Sequence, residues 1–289
     1  MNPIIMHINY AESSYETMGM SVLEAAQMAK KFGFDGVEYR GKLPNNYTKD
    51  RDTYLKEIAD AKDKTGIEIM FGVPGTGTSA KDDSERAKAV EGIIEFYRKA
   101  KEICDIKVCN AFSEFYPNPP AGENYNLTGS FCATEDDWKL GVDSYKKIGA
   151  ACEELGVKIA FETHMSYLHD TPKCARKLVD LIDSPAVGIN MDYGNTAYFL
   201  NMPSPADVAK LYGEKLYYMH LKNAVNVGGG RMPTSLAEGD INHRAYLKAI
   251  KEMGYKGPIG IEAPRGGDRV WFVRNDIGYF KALAEEIGL

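Results

Sequence analysis

The sequence predicts an α/β protein, a closed (β/α)8 TIM barrel, on three observations. Short apolar runs alternate with longer amphipathic, capped stretches, which is the pattern of strands crossing through helices around a parallel sheet. Eight such runs fit in 289 residues, against a typical barrel length of roughly 250. The segment after the first run, "NYAESSYETMGM", also lacks the glycine-rich phosphate turn that a doubly wound open sheet would place there.

The elements follow in order. The first strand reads over residues 3–9 (PIIMHIN), and a helix opens at Ser21, with Glu24 completing a capping box, and stops at Gly33. Strands two to four read over 34–40 (FDGVEYR), 67–73 (IEIMFGV) and 106–112 (IKVCNAF). Beyond the fourth, Trp138, Val142, Tyr145, Cys152 and Leu155 recur at helical spacing, a stripe that reads as core rather than cofactor site. The fifth strand, 157–163 (VKIAFET), precedes Thr171-Pro172, an N-cap followed by a first-turn proline. The sixth, 187–192 (VGINMD), precedes the same signal at Ser204-Pro205. The seventh and eighth are 216–222 (LYYMHLK) and 258–263 (PIGIEA). A weak echo between "KKFGFDGVEYR" and "KEMGYKGPIGIEAPR" supports repetition of one unit, and the reading is a single domain over 1–289.

Composition narrows the partners. Apolar residues make up 44% of the chain, enough for a large core, and 35 basic against 41 acidic residues give a net charge of −6. No general field draws such a chain to nucleic acid or anionic lipid, so a small or neutral partner is expected. Five cysteines (Cys104, Cys109, Cys132, Cys152 and Cys174) without CxxC spacing predict free thiols in a reducing cytoplasm. The start of the chain lacks a basic leader, and no run approaches the roughly 18 apolar residues of a membrane span.

The chemistry is concentrated at strand ends. Strand two ends in Glu38, strand five in Glu162 with His164 beyond it, strand six in Asp192, strand seven in His220 with Lys222, and strand eight in Glu262. In a barrel those carboxyl ends open on one face, where the active sites of this fold lie. A lone carboxylate there is more often solvated or salt-bridged, but four polar ends on successive strands point to a site. Glu162, Asp192, His220 and Glu262 form an oxygen-rich donor set that suits one divalent metal, Mn²⁺ first, with Mg²⁺, Co²⁺, Fe²⁺ or Zn²⁺ as alternatives. A metal there would polarise a carbonyl and hydroxyl while a carboxylate moves a proton from the adjacent carbon. The two glutamates would then work on opposite substrate faces.

Other residues carry softer readings. Lys222 points the same way as His220 by strand alternation and is a candidate donor to a developing enolate. Glu38 is read either as a substrate contact or as the partner of Arg40, and Asn110 and Arg265 join it as substrate-binding candidates. His7 reads as a core or pocket-floor histidine, and His169 and His243 as ordinary surface or helix-start residues. Two long loops, 113–133 and 223–242, read as lids, with Phe115, Tyr116 and Tyr125 offered for stacking on a sugar ring and Gly228 to Gly230 as a hinge or a loop tip.

The blocks "GFDGVEYR", "IAFETH", "SPAVGINMDYGN", "YYMHLKNA" and "LAEGDINHRAYLKAIKEMGYKGPIGIE" resemble, in order and spacing, the sugar phosphate isomerase/epimerase group of the xylose isomerase-like barrel superfamily. The resemblance implies Glu162, Asp192, His220 and Glu262 as ligands of one divalent metal, and Glu162 and Glu262 as the acid/base pair of the group's ketose epimerases. His164 and Lys222 fall where relatives place polar residues that contact substrate. The apurinic endonucleases of the superfamily hold three zinc ions with additional histidines. Here Asn195 stands at one of those positions, and Asp240-Ile241-Asn242 replaces an expected Asp-x-His, so a DNA-repair role is not expected. The usual "GEGD" of the group reads "AEGD".

The expectation is a cytoplasmic metal-dependent isomerase or epimerase of a sugar or sugar derivative, working by carboxylate proton transfer through a metal-stabilised enediolate. The resemblance also admits a lyase or dehydratase acting on an oxidised sugar or cyclitol, including cleavage of 3-oxo C-glycosides, because both reactions begin with the same proton abstraction. A third reading is a non-catalytic sugar-binding barrel. Homo-oligomers and a small partner subunit are the assemblies the group allows.

Overall fold

The computed structural model describes residues 2–122, 124–197, 199–227, 230–262 and 266–289. Eight parallel strands close into a barrel: β1 (Ile4–His7), β2 (Gly36–Arg40), β3 (Glu68–Val73), β4 (Val108–Ala111), β5 (Lys158–Glu162), β6 (Val187–Asp192), β7 (Leu216–Leu221) and β8 (Ile259–Ile261). β1 pairs with β2 on one side and with β8 on the other, which leaves no open edge. Each falls inside a predicted apolar run; β6 coincides with its run, and the others are shorter by the residues that turn into the loops.

Helices cover the outside: α1 (Val22–Phe32), α2 (Arg51–Thr65), α3 (Asp83–Cys104), α4 (Glu135–Leu155), α5 (Pro172–Ile182), the one-turn α6 (Tyr193–Thr196), α7 (Pro205–Tyr212), α8 (His243–Glu252) and α9 (Arg269–Ile287). The predicted caps are formed. Ser21 Oγ accepts from the Glu24 amide at 3.3 Å while Glu24 accepts from the Ser21 amide at 2.8 Å. Thr171 and Ser204 each cap a helix that begins with proline. On α4, Val142, Tyr145 and Cys152 are buried as the stripe predicted, with Trp138 and Leu155 packed against the core.

Strand alternation divides the core in two. The barrel lumen is filled at its base by Ile5, Met70, Ala160 and Tyr218, whereas the larger apolar layer lies between strands and helices. Each fully buried Leu, Ile, Val or Phe of that outer layer contributes about 1.5–3 kcal/mol relative to exposure. Continuing upward on the same inward face, Ala160 is followed by Glu162 and Tyr218 by His220, so the polar layer is the next storey of the same lumen. Gly260, paired with His220 across β7 and β8, has to lack a side chain, because a Cβ there would stand 2.7 Å from His220 Cδ2.

Two hairpins lie outside the eight predicted strands, Glu12–Ser14 with Thr17–Met18, and, within the second long loop, Asn223–Val227 with Gly230–Thr234. The first is too short to show a period, and in the second Val227 and Met232 stay exposed, so neither forms a buried apolar run. No helix among the described residues is long and apolar enough to cross a membrane. All five cysteines are free.

Candidate metal centre

Register and alternation converge four side chains at the carboxyl-end mouth. Asp192 pairs directly with His220 across β6 and β7, Glu162 ends β5, and Glu262 follows β8. One donor atom from each of these four lies within 4.8 Å of the others. His220 Nδ1 is 3.4 Å from Glu162 Oε2, 3.4 Å from Glu262 Oε2 and 3.6 Å from Asp192 Oδ2. Four donors around a cation bound at about 2.1 Å stand about 3.4 Å apart in a tetrahedral arrangement, so the spacing fits.

The polar accounting points the same way. His220 Nδ1 is buried without a hydrogen-bond partner, and Asp192 Oδ2 faces it at 3.6 Å while meeting the Lys222 ammonium at 2.8 Å. An orphaned buried polar atom costs about 1–3 kcal/mol, and a cation shared with the carboxylates around it satisfies it. The other end of each ligand is fixed. Asp192 Oδ1 caps α6 by accepting from the Asn195 amide at 2.9 Å, which turns Oδ2 into the cluster. His220 Nε2 faces Glu38 Oε2 at 2.8 Å; the carboxylate can only accept, so Nε2 donates to it and Nδ1 is the nitrogen turned to the cluster. The residues present therefore fit a divalent ion, and the three oxygens and one nitrogen match a hard or borderline metal.

Glu38 is consequently a positioning residue. Its carboxylate also accepts from Tyr218 Oη at 2.7 Å and Asn110 Nδ2 at 3.1 Å, and it is 1% exposed. Arg40 instead forms a bidentate pair with Glu12, at 2.5 and 3.0 Å, so of the two readings of Glu38 the arginine partnership does not form. The reason is reach: Arg40 lies one step further up the strand, where the hairpin after β1 brings Glu12 to it. Asn110 Nδ2 also donates to Glu162 Oε2 at 2.6 Å, and Asn190 donates to Asn110 Oδ1 at 3.1 Å. Asn110 thus ties two carboxylates together below the cavity.

Electrostatics follow from this crowding. Burial disfavours charge on Glu162, yet His220 and Lys222 hold its pKa well below the usual carboxylate range. Burial likewise raises that of Glu262, but Lys222 and His7 bring it down to about 2. Burial opposes charge on His220, whereas Glu38 and Glu162 raise its pKa well above the ordinary histidine value. Metal binding has to expel that second imidazole proton, so the centre is expected to weaken toward acid.

A cavity of about 720 Å³ opens above the cluster. His7, Asn9, His164, Lys222 and Arg231 line it with Glu162 and Glu262, and Tyr15, Phe112, Phe115 and Tyr167 form an aromatic wall. His164 Nδ1 meets the Met165 carbonyl at 2.8 Å, so that nitrogen donates and Nε2 is left as an acceptor. Phe115 faces the cavity as predicted, whereas Tyr116 packs on the core and Tyr125 is not among its lining residues. Tyr167 and Tyr15, which the sequence did not single out, take part in the wall.

The first lid is folded onto the β5 loop. Tyr116 N donates to Ser166 O at 2.7 Å, Ser113 N to His169 Nε2 at 3.0 Å, and Ser130 N to Asp170 Oδ2 at 2.9 Å. His169, expected at the surface, is fully buried there, stacked on Tyr167, and burial lowers its pKa to about 3. His243 is at a helix start as read, but buried. Of the remaining candidates, Arg265, Gly228 and Gly229 lie outside the described residues.

A closed parallel barrel whose mouth gathers three carboxylates and an imidazole defines the class: a TIM-barrel protein with a cluster that could bind a metal. The chain belongs to the xylose isomerase-like TIM barrel family, which it matches over residues 26–283. It is 26% identical over 249 residues to inosose dehydratase of Clostridium perfringens, covering 80% of this chain and 78% of that one. A xylose isomerase-like TIM barrel protein from Mycobacterium smegmatis, solved in complex with magnesium, superposes with a TM-score of 0.74 at 17% identity, covering 99% of this chain and 98% of that one. An L-ribulose 3-epimerase superposes with a TM-score of 0.77 at 14% identity, covering 99% and 96%. Dehydratases and epimerases thus share this fold.

Proposed function

We propose that the protein is a divalent-metal-dependent enzyme that removes a carbon-bound proton beside the carbonyl of a sugar-derived or cyclitol-derived substrate. The observation that carries this reading is the cluster itself: the orphaned His220 Nδ1 facing Glu162, Asp192 and Glu262, with one donor atom of each within 4.8 Å of the others, beneath a polar cavity. Glu162, Asp192, His220 and Glu262 would hold the ion. When bound, it supplies Lewis acidity toward the substrate carbonyl and an adjacent hydroxyl.

The chain's own residues set the proton path. Glu162 has both oxygens engaged, Oε1 by Asn195 Nδ2 at 2.8 Å and Oε2 by Asn110 at 2.6 Å, and so serves as an anchored ligand. Among the described residues, Glu262 Oε1 has only a long contact of 3.5 Å, from Asn9 Nδ2. Glu262 is therefore the base that takes the proton and returns it. Lys222 and His164, both at the cavity wall, stabilise negative charge and relay protons at the substrate oxygens. The aromatic wall supplies an apolar face for a ring, and the Glu12–Arg40 pair lines the cavity beside Tyr15.

Two outcomes share this first step. Reprotonation gives an isomer or epimer, and loss of a neighbouring hydroxyl gives a dehydrated product. A single glutamate with a loosely held oxygen favours one-face chemistry, which suits isomerisation and elimination better than a two-base epimerisation, and the likeness to inosose dehydratase supports the dehydration reading. The test is incubation of the Mn²⁺-loaded protein with an inosose and a panel of ketoses in deuterium oxide. Deuterium at the carbon beside the carbonyl is expected, and an ultraviolet-absorbing enone marks elimination. No exchange and no conversion across the panel with Mn²⁺, Co²⁺ or Mg²⁺ overturns the enzymatic reading in favour of a binding barrel.

A further inference from the structure

Strand alternation puts Lys222 two residues beyond His220 on the same inward face, which brings a second cation to the acidic cluster. Its Nζ stands 2.7 Å from Glu262 Oε2, 2.8 Å from Asp192 Oδ2 and 3.7 Å from Glu162 Oε1. The first two are the same oxygens that face His220 Nδ1. The side chain has its own seat. Gly194 leaves room for the lysine stem, because a Cβ there would collide with Lys222 Cγ, and Asn195 Oδ1 accepts from Nζ at 3.4 Å.

We propose that Lys222 is an internal counter-ion that shares Asp192 and Glu262 with the divalent ion, holding the metal-free protein together and setting how tightly the metal binds. This rests on reading the four residues as a metal centre. Three carboxylates packed within a few ångströms repel one another, and a buried ammonium touching two of them offsets that repulsion when no metal is present. With the metal in place the same ammonium is a like charge beside it and weakens binding. Lys222 cancels one of the negative charges that draw the ion in. It therefore lowers the affinity of the centre and makes the metal readily exchangeable. A lysine that merely packed would affect stability and metal affinity in the same sense; a counter-ion moves them in opposite senses.

The test uses Mn²⁺ alone, titrated into the metal-free full-length protein and read by the electron paramagnetic resonance signal of free Mn²⁺, with thermal melting in parallel. Lys222→Met is expected to tighten Mn²⁺ binding at least about tenfold while lowering the metal-free Tm. Lys222→Arg, which keeps the charge, should stay within about threefold of the unaltered protein. Unchanged or weaker Mn²⁺ binding by Lys222→Met overturns the proposal. If Lys222→Met folds only with metal, the rise in Tm on adding Mn²⁺ should exceed that of the unaltered protein, and an equal or smaller rise overturns it. If it does not fold at all, Gly194→Ala, which displaces the lysine stem, should tighten Mn²⁺ binding to a lesser degree, and unchanged affinity there overturns it. Failure of the unaltered protein to bind Mn²⁺ is a different result: it removes the metal centre itself.

Discussion

Glu162 and Glu262 face each other across the barrel mouth and look interchangeable in sequence, yet their surroundings differ. The Glu162 side chain is 5% exposed and receives hydrogen bonds from Asn110 and Asn195 on separate oxygens. Glu262 has a 13% exposed side chain, lies against Lys222, and among the described residues has only the long Asn9 contact on its other oxygen. An anchored carboxylate can hold a ligand in place, and one with a spare oxygen can also carry a proton. The lesson is that pairs of like residues at strand ends acquire different work from the neighbours that fix them.

The sharpest way to break this comparison is to neutralise the less constrained partner. Glu262→Gln is expected to lower kcat by about 10³-fold or more while Mn²⁺ still binds, read by steady-state turnover and metal titration. Near-normal turnover would mean that Glu162, not Glu262, moves the proton. A smaller effect is expected one layer down. Glu38→Gln removes the charged acceptor that orients His220 and should weaken Mn²⁺ affinity by roughly 10–100-fold, with a lesser effect on kcat at saturating metal. Unchanged affinity would show that His220 keeps its orientation without Glu38.

The smallest effect concerns a third buried carboxyl, Asp170, which anchors the lid through the Ser130 amide rather than facing the acidic cluster. Burial pushes its pKa up from 3.8 to about 7. Its folded form holds a proton that the unfolded chain releases, so stability is fully present below about pH 4 and is lost as pH rises through about 7. Asp170→Asn removes that loss. Its Tm should match the unaltered protein near pH 4.5 and exceed it by a few degrees at pH 8, and equal values at both pH values would contradict the assignment.

Much of this was legible before the structure. The eight strands are readable because a parallel barrel buries both strand faces, leaving continuous apolar runs bounded by helix caps. Glu162, Asp192, His220 and Glu262 stand out because a charge ending such a run needs a reason. The reasons for their positions were less legible. Asn195 follows Asp192 by three residues and looks like a loop polar residue, yet its amide donates to the capping Asp192 and its side chain holds Glu162. His169, flanked by Leu168 and Asp170, reads as surface; the lid that buries it comes from about 50 residues earlier, so no local pattern reports it.

By itself the sequence determined the fold and the convergence of the strand-end residues, because both follow from local periodicity and from the closure of eight repeated units. Only the tertiary structure decided which carboxylate is anchored, that Glu38 serves His220 rather than Arg40, and that Lys222 shares the oxygens of Asp192 and Glu262. Those outcomes depend on contacts of a few ångströms between atoms distant along the chain. Hydrogen bonds and Coulomb forces at that range vary with displacements that residue spacing does not encode.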